Sequence, residues 1–235
     1  MTDEAIVLAG GLGTRLRSMV DDVPKALAPV AGRPFLAWLL DALAIQGLRR
    51  VVLATGYLGD QVEEALGATW RSMALAYSRE ARPLGTGGAI ALALRRLEGD
   101  TCFVLNGDTW LQLNYAMFDA EMKAAGCLLG LALARVDDVT RYGAVHLDRA
   151  RVTGFAEKGA SGPGYINAGV YRIARSLADD FPVTGAFSFE RDVLVPTAAR
   201  GDAAAFTQTD GFIDIGVPED FRRAQSVFNR AKGMA

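Results

Sequence analysis

The run Ala5-Ile6-Val7-Leu8-Ala9 has no polar side chain to turn toward water. A strand made from it must be covered on both faces, as in a parallel sheet flanked by helices. The same signal recurs. Pro34–Gln46 carries apolar residues at helical spacing, with Pro34 suited to a first turn and Gly47 to a stop. Val51–Thr55 predicts a second strand, Leu58–Leu66 a second helix and Met73–Tyr77 a short third strand. Gly87–Leu97 predicts a helix rich in alanine and leucine, and Cys102–Asn106 another buried strand. This alternation predicts an α/β fold with a mainly parallel sheet and helices on both of its faces.

After Asp108 the rhythm changes. Cys127–Ala134, Gly143–Leu147, Val152–Ala156 and Tyr165–Ile173 predict strands with few helices between them, and Gly162-Pro163-Gly164 marks a turn before the last. Helical patterns return at Phe187–Ala199 and Pro218–Arg230. With no linker, repeat or low-complexity stretch, residues 1–235 read as one domain. Its amino-terminal part is expected to be parallel, and a smaller antiparallel part is expected to face the substrate.

The formal net charge of −2 argues against a general nucleic-acid binder, so any phosphate must meet locally placed cations. No apolar run approaches the roughly eighteen residues a membrane span needs. The acidic start Met1-Thr2-Asp3-Glu4 does not read as a signal peptide. The only cysteines, Cys102 and Cys127, lie in separate apolar runs and predict small core residues in a reducing compartment. A cytoplasmic protein is expected.

The first strand ends in Gly10-Gly11-Leu12-Gly13-Thr14-Arg15, and Pro24-Lys25 follows. This is not a P-loop, whose lysine follows a glycine at fixed spacing, nor a dinucleotide turn, because Leu16 stands where the third glycine belongs. It remains a loop after a first parallel strand, where open α/β sheets bind ligands. Its glycines allow backbone to approach phosphate, Arg15 can grip oxygens bidentately and Lys25 adds a point charge. Asn106-Gly107-Asp108 and Phe212-Ile213-Asp214-Ile215-Gly216 each put an aspartate beside an apolar run. Each aspartate alone reads equally as a turn or a cap. Together they suit a hard cation such as Mg²⁺ in phosphoryl or nucleotidyl transfer. The single histidine, His146, has no partner for a triad or a metal site and reads as an ordinary strand residue. Trp38, Trp70 and Trp110 read as packing residues, with Trp110 close enough in sequence to Asp108 to reach a ligand.

The glycine loop with Pro24-Lys25, in order with these two aspartate motifs, resembles the signature of the sugar-nucleotidyltransferase family, which joins a nucleoside triphosphate to a sugar 1-phosphate. Further stretches are similar to family segments: Glu80-Ala81-Arg82-Pro83-Leu84-Gly85-Thr86-Gly87-Gly88, Tyr142-Gly143-Ala144-Val145, Phe155-Ala156-Glu157-Lys158 and Tyr165-Ile166-Asn167-Ala168-Gly169-Val170-Tyr171. The resemblance extends from Ile6 to Gln225 and implies a Rossmann-like nucleotide-diphospho-sugar transferase fold, here without the carboxyl-terminal β-helix that many members append. It implies that Leu8, Gly10, Gly11, Gly13, Thr14, Glu80, Gly85 and Asn106 bind the nucleotide, and that Gly143, Glu157, Lys158 and Asn167 bind the sugar phosphate. It implies catalytic roles for Arg15, Lys25 and Lys158, and Mg²⁺ on Asp108 and Asp214. An ionised Glu80 only accepts hydrogen bonds. Guanine offers it two adjacent donors, so GTP is favoured, with UTP open. A homo-oligomer is compatible with the sequence. A non-catalytic sensor of sugar nucleotides is the other class to weigh, and the retained Arg15, Lys25, Asp108 and Asp214 speak against it.

Overall fold

The computed structural model describes residues 1–11, 24–56, 58–156 and 159–232. Strand β1 (Glu4–Leu8) is followed by β2 (Pro29–Val30), β3 (Arg33–Pro34), α1 (Phe35–Ile45), β4 (Arg50–Thr55) and α2 (Gly59–Leu66). Then come β5 (Thr69–Trp70), β6 (Met73–Arg79), α3 (Gly85–Leu94) and β7 (Thr101–Asn106). The second half runs β8 (Thr109–Leu113), α4 (Tyr115–Ala125), β9 (Leu129–Val136), β10 (Val145–Asp148), β11 (Arg151–Phe155) and β12 (Gly164–Ala174). It ends with α5 (Val195–Ala199), β13 (Ala203–Phe206), β14 (Thr209–Asp214) and α6 (Pro218–Lys232).

A 10-stranded sheet has the order β10-β11-β13-β9-β12-β7-β1-β4-β6-β5. Strands β6, β4, β1 and β7 are parallel neighbours. Beyond β7 the sheet turns mixed: β12 pairs antiparallel with both β7 and β9, while β13 runs parallel to β9. The antiparallel part is thus an extension of the parallel block within one sheet. Chain order reverses between β1 and β7, and the crevice beyond their carboxyl ends is where such sheets bind ligands.

Strand β1 explains its own sequence. Ala5 and Val7 pack on one face with Phe35, Leu36 and Leu40 of α1, while Ile6 packs on the other with Ile90 and Ala93 of α3. Period-two alternation sends the apolar residues of the strand alternately into the two cores. Both cysteines are buried and free, and burial pushes the Cys102 thiol up to about 12.

Helix α4 lies where few helices were expected. Its stop and start signals were present: the Asn114 side chain accepts from the Met117 amide at 3.0 Å, and Gly126 takes a left-handed conformation at the other end. Strand β13 was also missed, because Ala203-Ala204-Ala205-Phe206 has low intrinsic strand preference and is held by its neighbours β9 and β11. The helix expected over Phe187–Ala199 begins late, with a π turn over Glu190–Leu194 before α5. Pro196 has no N–H to return to the preceding turn, and the Val195 N–H instead bonds to Glu190 O.

Helix α6 anchors the carboxyl-terminal part to the amino-terminal part. Phe228 meets Trp38 and Trp110, each at 4.9 Å between ring centroids. The Trp70 indole N–H donates to Asp41 at 3.0 Å. All three tryptophans are therefore packing residues. His146 is an exposed residue of β10.

The first residues are tied to the sheet by a buried charge. Asp119 on α4 and Arg172 on β12, 2% and 4% exposed, bond at 3.2 Å. Asp119 also accepts from the Thr2 amide and hydroxyl and from Lys123. Burial alone would raise the Asp119 pKa, but hydrogen bonds from Lys123, Thr2 and Arg172 together hold it well below the usual range. Asp119→Ala leaves Arg172 buried and unpaired, and we expect a loss of about 3–5 kcal/mol in urea denaturation, part of it restored by Arg172→Met. Because the folded pKa lies below the roughly 3.9 of an unfolded aspartate, this advantage over Asp119→Ala is complete above that pH and shrinks as the pH falls further.

Candidate active site

The ends of β1 and β7 are locked together. Leu8 pairs with Asn106, and the Gly107 amide donates to the Leu8 carbonyl at 2.9 Å. A Cβ on Gly107 would stand 2.5 Å from that carbonyl oxygen, so only glycine lets the two strand ends close. Gly10 packs against the backbone of Gly56, whereas Gly11 has none of the described residues within 4 Å of an added side chain. Between these ends is a cleft of about 210 Å³ whose lining includes Leu8, Gly11, Lys25, Thr86, Asn106 and Asp108.

Lys25 opens a short helical turn after Pro24, which fixes the approach of the chain; the Leu27 amide bonds back to Pro24 O at 2.8 Å. Its ammonium forms an ion pair with the Asp108 carboxylate. Asp108 ends the turn leading into β8, and β8 pairs with β14 so that Thr109 lies opposite Asp214. The Ile215 amide donates to Asp108 O at 3.0 Å, which ties the two aspartate segments directly. Asp214 accepts from the Gly216 amide at 2.8 Å. Burial raises the Asp214 pKa, and the charge of Asp108 raises it further; Lys25 and the Gly216 N–H pull the other way without cancelling them. Among the described residues, two neighbouring carboxylates thus face one lysine, which pairs with Asp108, and a divalent cation with oxygen preference fits that excess of negative charge. Among the described residues no group of three or more acidic, histidine or cysteine side chains could hold a metal.

Glu80 follows β6; its amide bonds to Thr55 O at 3.0 Å and its carboxylate accepts from the Leu84 amide at 2.9 Å. That carboxylate still has acceptor positions to spare. Gly85 has positive φ and, like Gly87, lies so close to Phe187 that a side chain at either position would collide with it. The Gly87 amide donates to Phe187 O, and the Phe189 amide donates to the Thr86 hydroxyl at 2.9 Å. Gly85 and Gly87 are thus required by the segment around Phe187, and Gly88 by Leu84, whose Cβ would lie 2.6 Å from an added side chain.

A second cleft of about 300 Å³ is lined by residues that include Tyr142, Gly143, Phe155, Asn167, Glu190 and Arg191. Gly143 and Asn167 were expected there; Glu190 and Arg191 were not singled out, because Phe187–Ala199 read as an ordinary helix. The two clefts are linked through β12, where Gly169 packs directly on the Asn106 side chain and donates its amide to Asn167 Oδ1 at 3.1 Å. Gly13, Thr14, Arg15, Glu157 and Lys158 lie outside the described residues. A larger groove of about 820 Å³ is also lined by Tyr142, and two ion pairs, Arg141–Glu219 and Arg223–Asp220, lie in its wall.

A model of the family described as nucleotidyl transferase matches residues 4–230. The chain is 39% identical over 223 residues to the D-glycero-α-D-manno-heptose 1-phosphate guanylyltransferase of Aneurinibacillus thermoaerophilus, covering 94% of this chain and 96% of that protein. It is 38% identical to the enzyme of the same name from Campylobacter jejuni, covering 93% and 96%. The crystal structure of HddC from Yersinia pseudotuberculosis superposes with a TM-score of 0.86 at 38% identity, over 97% of this chain and 100% of that one. The same Yersinia protein has also been solved complexed with GMP-PN, and that structure superposes with a TM-score of 0.85. With a sheet that reverses order between β1 and β7, and with Lys25, Asp108 and Asp214 at that crevice, the chain belongs to the nucleotidyl transferase family.

Proposed function

We propose that this chain transfers the guanylyl group of GTP to a sugar 1-phosphate, D-glycero-α-D-manno-heptose 1-phosphate, and releases pyrophosphate. The observation that carries this reading is the cluster of Lys25, Asp108 and Asp214 at the crevice of a nucleotidyl transferase fold. Relatives bearing the heptose name match 94% and 93% of this chain. A mannose-1-phosphate guanylyltransferase of Mycobacterium tuberculosis is 36% identical, but only 64% of its length is covered. The 39% and 38% identities of the heptose-named relatives favour heptose over mannose. The GDP-heptose product would serve surface glycan synthesis, and the need for GTP puts the reaction in the cytoplasm. No helix among the described residues is long and apolar enough to cross a membrane.

In this reading a phosphate oxygen of the sugar 1-phosphate attacks the α-phosphorus of GTP in line. A phosphate dianion is already a nucleophile near neutral pH, so the site needs no general base. The chain's contribution is positioning and charge. Lys25 follows the transferring phosphates, Glu80 accepts from the guanine edge, and Asn106 and the backbone at Gly11 border the triphosphate. Arg15 and Lys158, by resemblance, hold the triphosphate and the sugar phosphate. Asp108 and Asp214 would hold Mg²⁺, which when bound offsets charge on the departing pyrophosphate.

A matrix of nucleoside triphosphates against sugar 1-phosphates, read by pyrophosphate release, tests the assignment. GTP with the heptose 1-phosphate should give the highest kcat/KM. Preference for mannose 1-phosphate would overturn the heptose, and preference for UTP, as in an N-acetylmuramate-1-phosphate uridylyltransferase, would overturn the guanylyl assignment. No release from any pair would favour a non-catalytic sugar-nucleotide sensor.

Asp108→Asn should lower kcat by roughly a thousandfold or more, because the loss of several kcal/mol of charge stabilisation corresponds to that factor. Its thermal midpoint should stay near that of the parent. Turnover close to the parent's with Mg²⁺ present would remove the metal role. Lys25→Met should cost about a hundred- to a thousandfold in kcat, the scale of one lost transition-state donor, with a smaller change in the KM for GTP.

A further inference from the structure

We propose that Glu190 is the residue that selects the sugar: its carboxylate accepts hydrogen bonds from hydroxyls of the bound sugar 1-phosphate, and Asn167 is the positioning residue that aims it. This rests on the nucleotidyl transfer proposed above.

The Asn167 amide is already engaged within the protein. Its Nδ2 donates to the Tyr171 hydroxyl at 2.8 Å and to Glu190 Oε1 at 3.2 Å, and its Oδ1 accepts from the Gly169 amide. An asparagine amide has two donor hydrogens, and both are used here. Among the described residues that line the second cleft, Glu190 is the carboxylate, and it has capacity to spare. It is exposed, lines the cleft and has no ion-pair partner among the described residues. One of about four lone-pair sites on its carboxylate is taken by Asn167, which leaves about three for a ligand. The neighbouring cation does not compete, because Arg191 holds Asp192 bidentately at 2.8 and 2.9 Å.

The backbone beneath Glu190 is fixed on both sides. The preceding residue, Phe189, is buried and donates its amide to Thr86. Glu190 O is the acceptor of the π turn that Pro196 accompanies. Such turns recur at functional sites because they re-aim one side chain without ending the helix. Charge then sets the orientation of the substrate. A carboxylate with no ion-pair partner among the described residues repels a phosphate and attracts hydroxyl donors, so the sugar presents its hydroxyls to Glu190 and directs its phosphate toward the crevice with Lys25. Phe155 and Tyr142 in the same wall offer apolar surface to the carbon face of the ring.

The test is steady-state kinetics of Glu190→Gln and Asn167→Ala in the full chain. The substrates are GTP with heptose 1-phosphate and with a panel of monodeoxy sugar 1-phosphates. Glu190→Gln should raise the KM for the sugar phosphate about ten- to a hundredfold, the scale of one charged hydrogen bond, while the KM for GTP and the thermal midpoint change little. With the deoxy analogue that lacks the contacted hydroxyl, the ratio of parent to variant should collapse toward one. Asn167→Ala should raise the same KM by a smaller factor and add little when combined with Glu190→Gln. A folded Glu190→Gln protein whose sugar-phosphate KM stays within twofold of an active parent overturns the inference alone. A parent that releases no pyrophosphate with any substrate pair overturns the proposed function, and this inference with it.

Discussion

Two carboxylates held side by side in a partly buried place repel each other, and the arrangement at Asp108 and Asp214 depends on how the protein sustains that repulsion. Lys25 pairs with one of them and the Gly216 amide bonds the other. The raised pKa of Asp214 means that these partners fall short of full compensation. Much of the second half of the chain serves to keep the pair together. The β8–β14 ribbon sets the two segments opposite each other, and α6 follows directly and packs through Phe228 against α1 and β8. The site is bound up with the joining of sequence-distant parts, and its residual negative charge suits the cation proposed for it.

A second coupling runs through a segment with no obvious motif. Leu84, Thr86 and Gly87 at the start of α3 are hydrogen-bonded to Phe187 and Phe189. Glu80 holds the Leu84 amide from one end, and Glu190 follows Phe189 at the other. The loop expected to meet the base and the wall expected to meet the sugar are therefore one mechanical unit. This gives the glycine-rich sequence Gly85-Thr86-Gly87-Gly88 a structural cause: Phe187 occupies the space that side chains at Gly85 and Gly87 would need, and Leu84 the space at Gly88.

The parts legible from sequence were those where local pattern and tertiary role agree. A fully apolar Ala5–Ala9 can hardly be anything but a doubly covered strand, and an aspartate directly after a buried strand falls at the crevice by topology. Sequence was silent where neighbours decide. The alanines of β13 become a strand because β9 and β11 flank them, and Glu190 gains its position from a π turn that periodicity cannot distinguish from an α-helix. Asn167 illustrates a different limit. The sequence fixes its chemical type but not whether its amide is spent on protein or ligand, and here three hydrogen bonds engage it from within.

The division of charge across the two clefts follows from the proposed chemistry. A reaction whose nucleophile and leaving group are both phosphates asks for cations and a metal where the phosphates meet, and gains little from a proton-transfer residue there. It still has to tell one sugar from another, and that requires acceptors and donors away from the phosphates. A carboxylate at the crevice without a cation would repel both substrates, whereas a carboxylate at the far wall repels only the wrong end of one. Lys25 beside Asp108, and Glu190 with no ion-pair partner among the described residues, are opposite solutions for opposite ends of the same substrate.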